Sequence, residues 1–427
     1  MVPFRFAFAL LALTIPVSAL SNAVFGALVR NDSPLNGEDL TEVFLSEEHW
    51  NKNKALPGEW MNGVRVANVS KSYLLARPKV LGLETLLVQA SRRDGRLEEL
   101  ELTFADAGSF FGYLNDPVPS GLSKREAAAH MRQKLQAKQT EFSRLYREKA
   151  EALFSRLESI DSRPDRLSRG RSRDLRAELK VFEDQKSGMS LELLEAPNRL
   201  LRLTIRRSSD ERETWLDPMT EESDRSTRLK ELVGKVQKNK LGDVVVGGVE
   251  VVPQGFRPYC GLNSLVMVGG FFGLHLDEDW LSVAGKFQNT GSAAGSDMMG
   301  LYGAVAREAR FQLKKKNQYD HESVRRAIRS GMPVIVWRRW DRTRDQLHTR
   351  ISKALSNGQA VTFPDVDPRA LPSKEKRSPV HASVIIGYND ERQEVIFLES
   401  WESLKEPRRM PVREMSSTSD YLFLFQP

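Results

Sequence analysis

The stretch Gln254-Gly255-Phe256-Arg257-Pro258-Tyr259-Cys260-Gly261 holds the single cysteine of a 427-residue chain. One thiol cannot pair within its own chain, so it is either a small buried hydrophobe or a reactive nucleophile. The residues that follow bear on the choice. Leu262, Leu265, Val266, Val268, Phe271 and Phe272 recur at helical spacing until Gly273. The pattern places Cys260 at the start of a helix, where unpaired N–H groups and the helix dipole favour a thiolate.

A thiolate nucleophile needs a base, a group that orients the base, and donors for the oxyanion. His381 opens the run Ala382-Ser383-Val384-Ile385-Ile386-Gly387-Tyr388, Asn389-Asp390-Glu391-Arg392 reads as a turn, and Val395 to Leu398 returns. This predicted hairpin brings Glu399 or Ser400 alongside His381. A carboxylate there would fix the ring tautomer and stabilise the imidazolium. Gln254, six residues ahead of Cys260, can offer a side-chain amide beside the Cys260 N–H. The candidate catalytic set is Cys260, His381, Glu399 and Gln254, with Ser400 and Asp390 in reserve for the third position. The set calls for no metal and no organic cofactor.

The order Gln, five residues, Cys-Gly, then His-Ala in an apolar strand ending Gly-Tyr, then an apolar strand ending in a polar residue before Ser-Trp, resembles the papain-like cysteine peptidase superfamily. Tyr259-Cys260-Gly261 and Gly387-Tyr388-Asn389-Asp390 are most similar to the bacteriocin-processing (double-glycine) peptidases and their secreted relatives. The resemblance implies an α+β fold in which the nucleophile helix packs on an antiparallel sheet, and hydrolysis of peptide or isopeptide bonds. It implies Cys260 and His381 as catalytic, Gln254 in the oxyanion hole and Glu399 as third member. Family members usually carry Asp or Asn where Glu399 stands, one methylene shorter. Transporter-linked members add membrane helices and an ATPase that find no counterpart here, so double-glycine leader cleavage is not carried over. Two alternatives stand beside the peptidase: an inactive binding module on the same fold, and an amidase acting on peptidoglycan stem peptides.

The resemblance covers 242–427. Ahead of it, Arg5, the apolar run Phe6 to Ile15, Pro16 and Val17-Ser18-Ala19 read as a signal peptide over 1–23, cut after Ala19 or Ala23. Export follows, with membrane attachment only if the segment stays uncleaved. Residues 24–207 read as a separate α+β domain whose role, as propeptide, targeting module or partner surface, the sequence leaves open. Leu83 to Ala90 and Leu97 to Phe104 predict one hairpin, Met189 to Leu194 and Leu200 to Ile205 another. Ser123 with Glu126 three residues on predicts a capped helix ending near Asp161 to Pro164. Residues 208–241 read as a polar linker with a short helix at Ser226 to Gln237.

Within 242–427, Asp243 to Val252 reads as a β-rich run. Helices are expected from Ser296 or Asp297 to Arg310 and over Glu322 to Arg329, with strands at Val334 to Trp337 and Tyr421 to Phe425. Asp341 to Pro379 reads as an insertion with a helix at Thr343 to Leu355, acting as a lid or a substrate-facing arm. The net charge of +7 suits an anionic envelope polymer as a partner beside a peptide or protein substrate. The basic clusters Arg163 to Arg176 and Lys314 to Lys316 lack interleaved aromatics, so they read as solvated surface and not as a nucleic-acid site. His275, near Asp277 and Asp279, reads as a loop with helix-capping acids and not as a metal site. His321 and His348 read as surface residues, and Trp337, Trp340 and Trp401 as aromatic packing.

Overall fold

The computed structural model describes residues 30–50, 54–66, 69–111, 121–209, 214–254, 257–276, 278–287, 297–401 and 406–427. The expected signal segment 1–23, the Ser296 helix start, and Gly255, Phe256 and Asp277 lie outside the described residues.

Two antiparallel sheets organise the chain. The first is built from β1 (Trp60–Val66), β2 (Val69–Leu74), β3 (Leu87–Arg93), β4 (Arg96–Asp106), β5 (Asp165–Arg169), β6 (Ala177–Asp184), β7 (Met189–Ala196) and β8 (Leu200–Arg207), in spatial order β1-β2-β3-β4-β8-β7-β6-β5. Both predicted hairpins are present, as β3 with β4 and β7 with β8. Side chains alternate between faces along each strand. Leu100, Leu102, Phe104, Leu191, Leu193, Leu201, Leu203 and Ile205 form an apolar face that is fully buried. Helix α1 (Lys124–Ile160) covers it, burying Phe142, Tyr146, Leu153 and Leu157, at roughly 1.5–3 kcal/mol per large side chain. The capping box read from sequence is in place: the Ser123 hydroxyl accepts from the Glu126 N–H and the Glu126 carboxylate from the Ser123 N–H. The helix ends at Ile160, where Asp161 turns extended.

The other face of this sheet is buried and charged. Gln89, Glu99, Glu101, Glu192, Arg202 and Arg206 all lie on it. Arg206 sits 3.0 Å from Glu99 and 3.2 Å from Glu192, and Arg169 sits 2.6 Å from Glu192. Arg169 therefore departs from the solvated surface expected for its cluster: the buried Glu192 carboxylate draws it inward, where its guanidinium also lies over Trp215 at 5.2 Å. Lys314 to Lys316 stand on an edge strand, where exposed charge blocks further strand pairing.

The stretch expected to link the two parts has structure of its own. It holds a short helix at Pro218–Glu222 capped by Asp217, helix α2 (Arg225–Gly234) and strand β9 (Val236–Lys238). Trp215, Leu216, Arg228 and Leu232 are buried in it. These few anchors are scattered among charges, so average polarity hid them.

The second sheet contains β9, β10 (Val244–Val246), β11 (Gln312–Lys316), β12 (Val334–Arg339), β13 (Val380–Asn389), β14 (Glu394–Leu398), β15 (Arg408–Pro411) and β16 (Ser419–Gln426). Its path runs β9-β10-β13-β12-β16-β11, with β14 pairing β13 and β15 pairing β14. Of the β-rich run Asp243 to Val252, only Val244–Val246 forms a strand. Helix α3 (Cys260–Phe271) is apolar all round and buried after its first residue, as a helix enclosed on every side must be. It packs on β13 and β12, with α4 (Glu278–Ala284) and α5 (Met298–Glu308) beside it, while α6 (His321–Arg329) lies against β13, β10, β16 and β12. The inserted helix α7 (Arg342–Ser356) lies against β15, and α8 (Val412–Thr418) follows. The class is α+β. Leu175, Ala177, Leu194, Ala196 and Leu200 of the first half share one core cluster with Leu262, Leu265 and Val268 of α3.

Candidate active site

Cys260 begins α3, so its backbone N–H is among those left without a partner in the helix. The start of the helix is pinned from two sides. Tyr302 donates its hydroxyl to the Gly261 carbonyl at 2.8 Å and accepts from the Trp337 indole at 3.1 Å. Asn263 donates to the carbonyls of Val252 and Pro253, fastening the chain that carries Gln254 to the same helix. A glycine follows the cysteine because a Cβ there would lie 2.8 Å from Trp337.

The β13–β14 hairpin forms as read, with Val384 opposite Leu398 and Ile385 opposite Phe397. Glu399 continues past β14 and reaches His381 diagonally: His381 Nε2 lies 2.6 Å from Glu399 Oε2, and the Ser383 hydroxyl donates to the same oxygen at 2.9 Å. His381 also acts on the Cys260 thiol, lowering its pKa. Nε2 is engaged by the carboxylate, so Nδ1 is the ring nitrogen left for sulfur. Trp401 stacks on the ring, centroids 4.6 Å apart.

The electrostatics follow from these contacts. Burial pushes the Cys260 thiol up, but the hydrogen bond and charge of His381 outweigh it and leave the thiol below its usual value. Burial lowers His381, yet the Glu399 charge and the bonds to Cys260 and Glu399 raise it to about 9. Burial raises Glu399, while the charges of His381 and Arg338, with further help from Arg408, bring it to about 2. The arrangement favours a thiolate–imidazolium pair backed by an ionised carboxylate.

Gln254 joins the group through Ser400. Its N–H donates to the Ser400 carbonyl at 2.8 Å, and its Oε1 accepts from the Ser400 hydroxyl at 2.7 Å. Its Nε2 donates to the Arg257 carbonyl at 3.0 Å, so the amide nitrogen faces the loop leading to Cys260. Ser400 is thus a partner of Gln254, and Asp390 sits out at the hairpin turn, bonded to Arg325 at 2.8 Å.

Three contributors went unread in the sequence: Arg338, Arg408 and Ser383. Arg338 Nη2 donates to Glu399 Oε1 at 2.6 Å, and Arg408 Nη1 lies 3.5 Å from that oxygen. A charged residue closing the apolar run Val334-Ile335-Val336 was a usable signal for Arg338. Arg408 had none, since Arg408-Arg409 follows a proline and looks like surface.

His348 is a correction. It is only 1% exposed and its Nε2 lies 3.0 Å from Glu414 Oε1, because α7 packs this face on β15 and α8. His321 is half-buried, with Nδ1 at 3.0 Å from the Tyr319 hydroxyl. His275 Nε2 contacts Asp217 at 3.0 Å, and Asp217 also bonds Arg93. Asp279 turns to Arg257 and to Arg202. Trp340 and Trp401 meet edge to face beside the site.

Residues 246–422 match the model of the Peptidase_C39 like family. This part of the chain is papain-like. It includes Gln254, Cys260, His381 and Glu399, and the first half of the chain lies outside the match. Among solved structures the chain is similar to a C39-like protein from Bacillus anthracis, with 15% identity, 43% of this chain and 98% of that chain covered, and a TM-score of 0.30. It is also similar to Xylellain, a cysteine protease from Xylella fastidiosa, with 14% identity, 46% and 88% covered, and a TM-score of 0.27. Comparison with curated proteins finds no match.

Proposed function

We propose that this protein is a cysteine peptidase hydrolysing peptide or isopeptide bonds. The observation that carries the reading is His381 held between the Cys260 thiol and the buried Glu399 carboxylate. The Cys260 thiolate attacks the carbonyl carbon, forming a C–S bond as the π electrons move to oxygen. The Cys260 N–H and the Gln254 amide stabilise that oxyanion. His381 gives its Nδ1 proton to the leaving nitrogen as the C–N bond breaks, and a thioester remains. Water then adds as His381 takes its proton, the C–S bond breaks, and the carboxylic acid leaves. Glu399 stays ionised and holds the ring in the productive tautomer.

Alkylation by iodoacetamide tests this. Near about pH 6 an ordinary thiol is almost entirely protonated and slow to react. Wild type is expected to label rapidly there, Cys260→Ala not at all, and His381→Ala at least about tenfold more slowly. Equal, slow labelling of wild type and His381→Ala would overturn the reading in favour of a binding module.

We read the protein as exported, on the N-terminal sequence pattern, with the net charge of +7 favouring an anionic envelope. The intact mass of natively secreted protein checks cleavage after Ala19 or Ala23, and shows whether 208–241 is cut.

A further inference from the structure

We propose that Arg338 and Arg408 are positioning residues that clamp Glu399 onto His381, and that Asp345 on the inserted helix α7 anchors the clamp. This rests on the peptidase reading and adds to it a role for the insertion.

Glu399 has one more rotatable bond than the shorter acid usual at its place, so a fixed carboxylate needs more restraint. The structure supplies donors to both oxygens. Oε2 takes His381 Nε2 and the Ser383 hydroxyl; Oε1 takes Arg338 Nη2, with Arg408 Nη1 beside it. Arg338 also donates through Nε to the Ser383 hydroxyl at 3.3 Å, closing a ring of three side chains. Glu399, Arg338 and Arg408 are 0%, 2% and 2% exposed, so water does not take these places. Strand register makes the arrangement: Arg338 lies opposite His381, and Arg408 lies opposite Phe397, two residues before Glu399.

The two guanidiniums lie over the Phe397 ring at 5.2 and 5.8 Å, and Arg408 also lies 5.5 Å from the centre of the Trp401 ring that stacks on His381. Arg408 thus restrains both neighbours of the imidazole, the carboxylate and the indole. What holds Arg408 comes from α7: its Nη2 lies 2.7 Å from Asp345 Oδ1 and donates to the Asp345 carbonyl. One layer out, the Arg344 Nε–H donates to Glu414 Oε1 at 3.0 Å and His348 meets the same carboxylate, fixing α7 to α8. The groups facing the Glu399–His381 pair are therefore Cys260 from α3, Arg338 from β12, Ser383 from β13, Arg408 from β15 and Asp345 from α7. Helix α7 is a strut behind the triad, where the sequence suggested a lid or arm.

The test is the rate of Cys260 alkylation by iodoacetamide across about pH 4 to 10 on the full chain. Asp345→Asn and Arg408→Lys are compared with wild type, and thermal melts confirm the fold. Arg408→Lys keeps the charge and loses the two-ended bridge. Both variants are expected to label about tenfold more slowly near about pH 6. The upper end of the plateau should fall below about 9, since a loosened Glu399 supports the imidazolium less. Asp345→Glu should recover part of the rate. Native melts with wild-type pH profiles in both variants would overturn the clamp alone. If one variant unfolds, the other decides. Absence of fast labelling in wild type would overturn the peptidase reading, and the clamp with it.

Discussion

Each of the two sheets buries a set of guanidiniums and carboxylates, and the two sets are balanced in opposite ways. Around Glu399, one carboxylate meets Arg338, Arg408 and His381, and its pKa falls to about 2. Where the halves of the chain meet, Asp279 contacts Arg257 and Arg202 but shares them with Asp106, Glu278 and Glu101. Burial and the charges of Asp106 and Glu278 push Asp279 above the usual carboxylate range, against the pull of Arg257. The same residue types, equally buried, thus favour a fixed anion in one place and a proton in the other. The count of cations per carboxylate decides which. The first set suits the proposed reaction, which needs charge, while the second holds Arg257, ahead of Cys260, from the first sheet.

The largest effect expected from this contrast is that of Glu399→Gln, which leaves Arg338 and Arg408 buried without their anion. A loss of about 3–5 kcal/mol is expected in denaturant unfolding, together with loss of fast Cys260 labelling. Arg257→Met should cost less, about 2–3 kcal/mol, because Asp279 already leans towards its neutral form. A cost equal to that of Glu399→Gln would break the contrast.

Acid and base titration sharpen it further. Glu399 is lowered from 4.5 to about 2, so its stabilisation is complete above 4.5 and is lost as pH falls towards 2. His381 is raised from 6.5 to about 9, so its contribution is complete below 6.5 and is lost as pH rises towards 9. Stability from this pair should peak between those limits, and thermal melts across pH in wild type and His381→Ala measure it. The smallest effect expected is that of Asp279→Asn, at most about 1 kcal/mol, since the amide keeps an acceptor for one arginine and resembles the protonated acid. Gly108→Ala probes the same junction sterically. A methyl there overlaps the Tyr259 hydroxyl, and a loss of about 1–3 kcal/mol is expected in the same unfolding assay.

Much of the site could be read along the chain because its determinants are local. Cys260 lies one position after a helix cap, Gln254 six residues before it, and Glu399 one residue past a strand paired with the one bearing His381. Hairpin register brings the last two together, and alternation of apolar residues is enough to announce it. The capping box at Ser123 and the hairpin of β7 and β8 were legible for the same reason. His348, Arg169, Arg338 and Arg408 were not, because a charged side chain is buried only when a distant partner is there to meet it, and Glu414, Glu192, Glu399 and Asp345, which meet these four in turn, are 23 to 66 residues away.

The sequence by itself therefore determined the identity and order of Cys260, His381, Glu399 and Gln254, the helix and hairpin that carry them, and the α+β class. These rest on hydrophobic periods and on contacts between neighbours in sequence. Only the tertiary structure decided that Glu399 meets two arginines from other strands, that Asp345 of the insertion meets one of them, and that the two halves share a core through α3. Pairing of buried charges depends on which strands lie side by side, and that order is set by the packing of the whole chain.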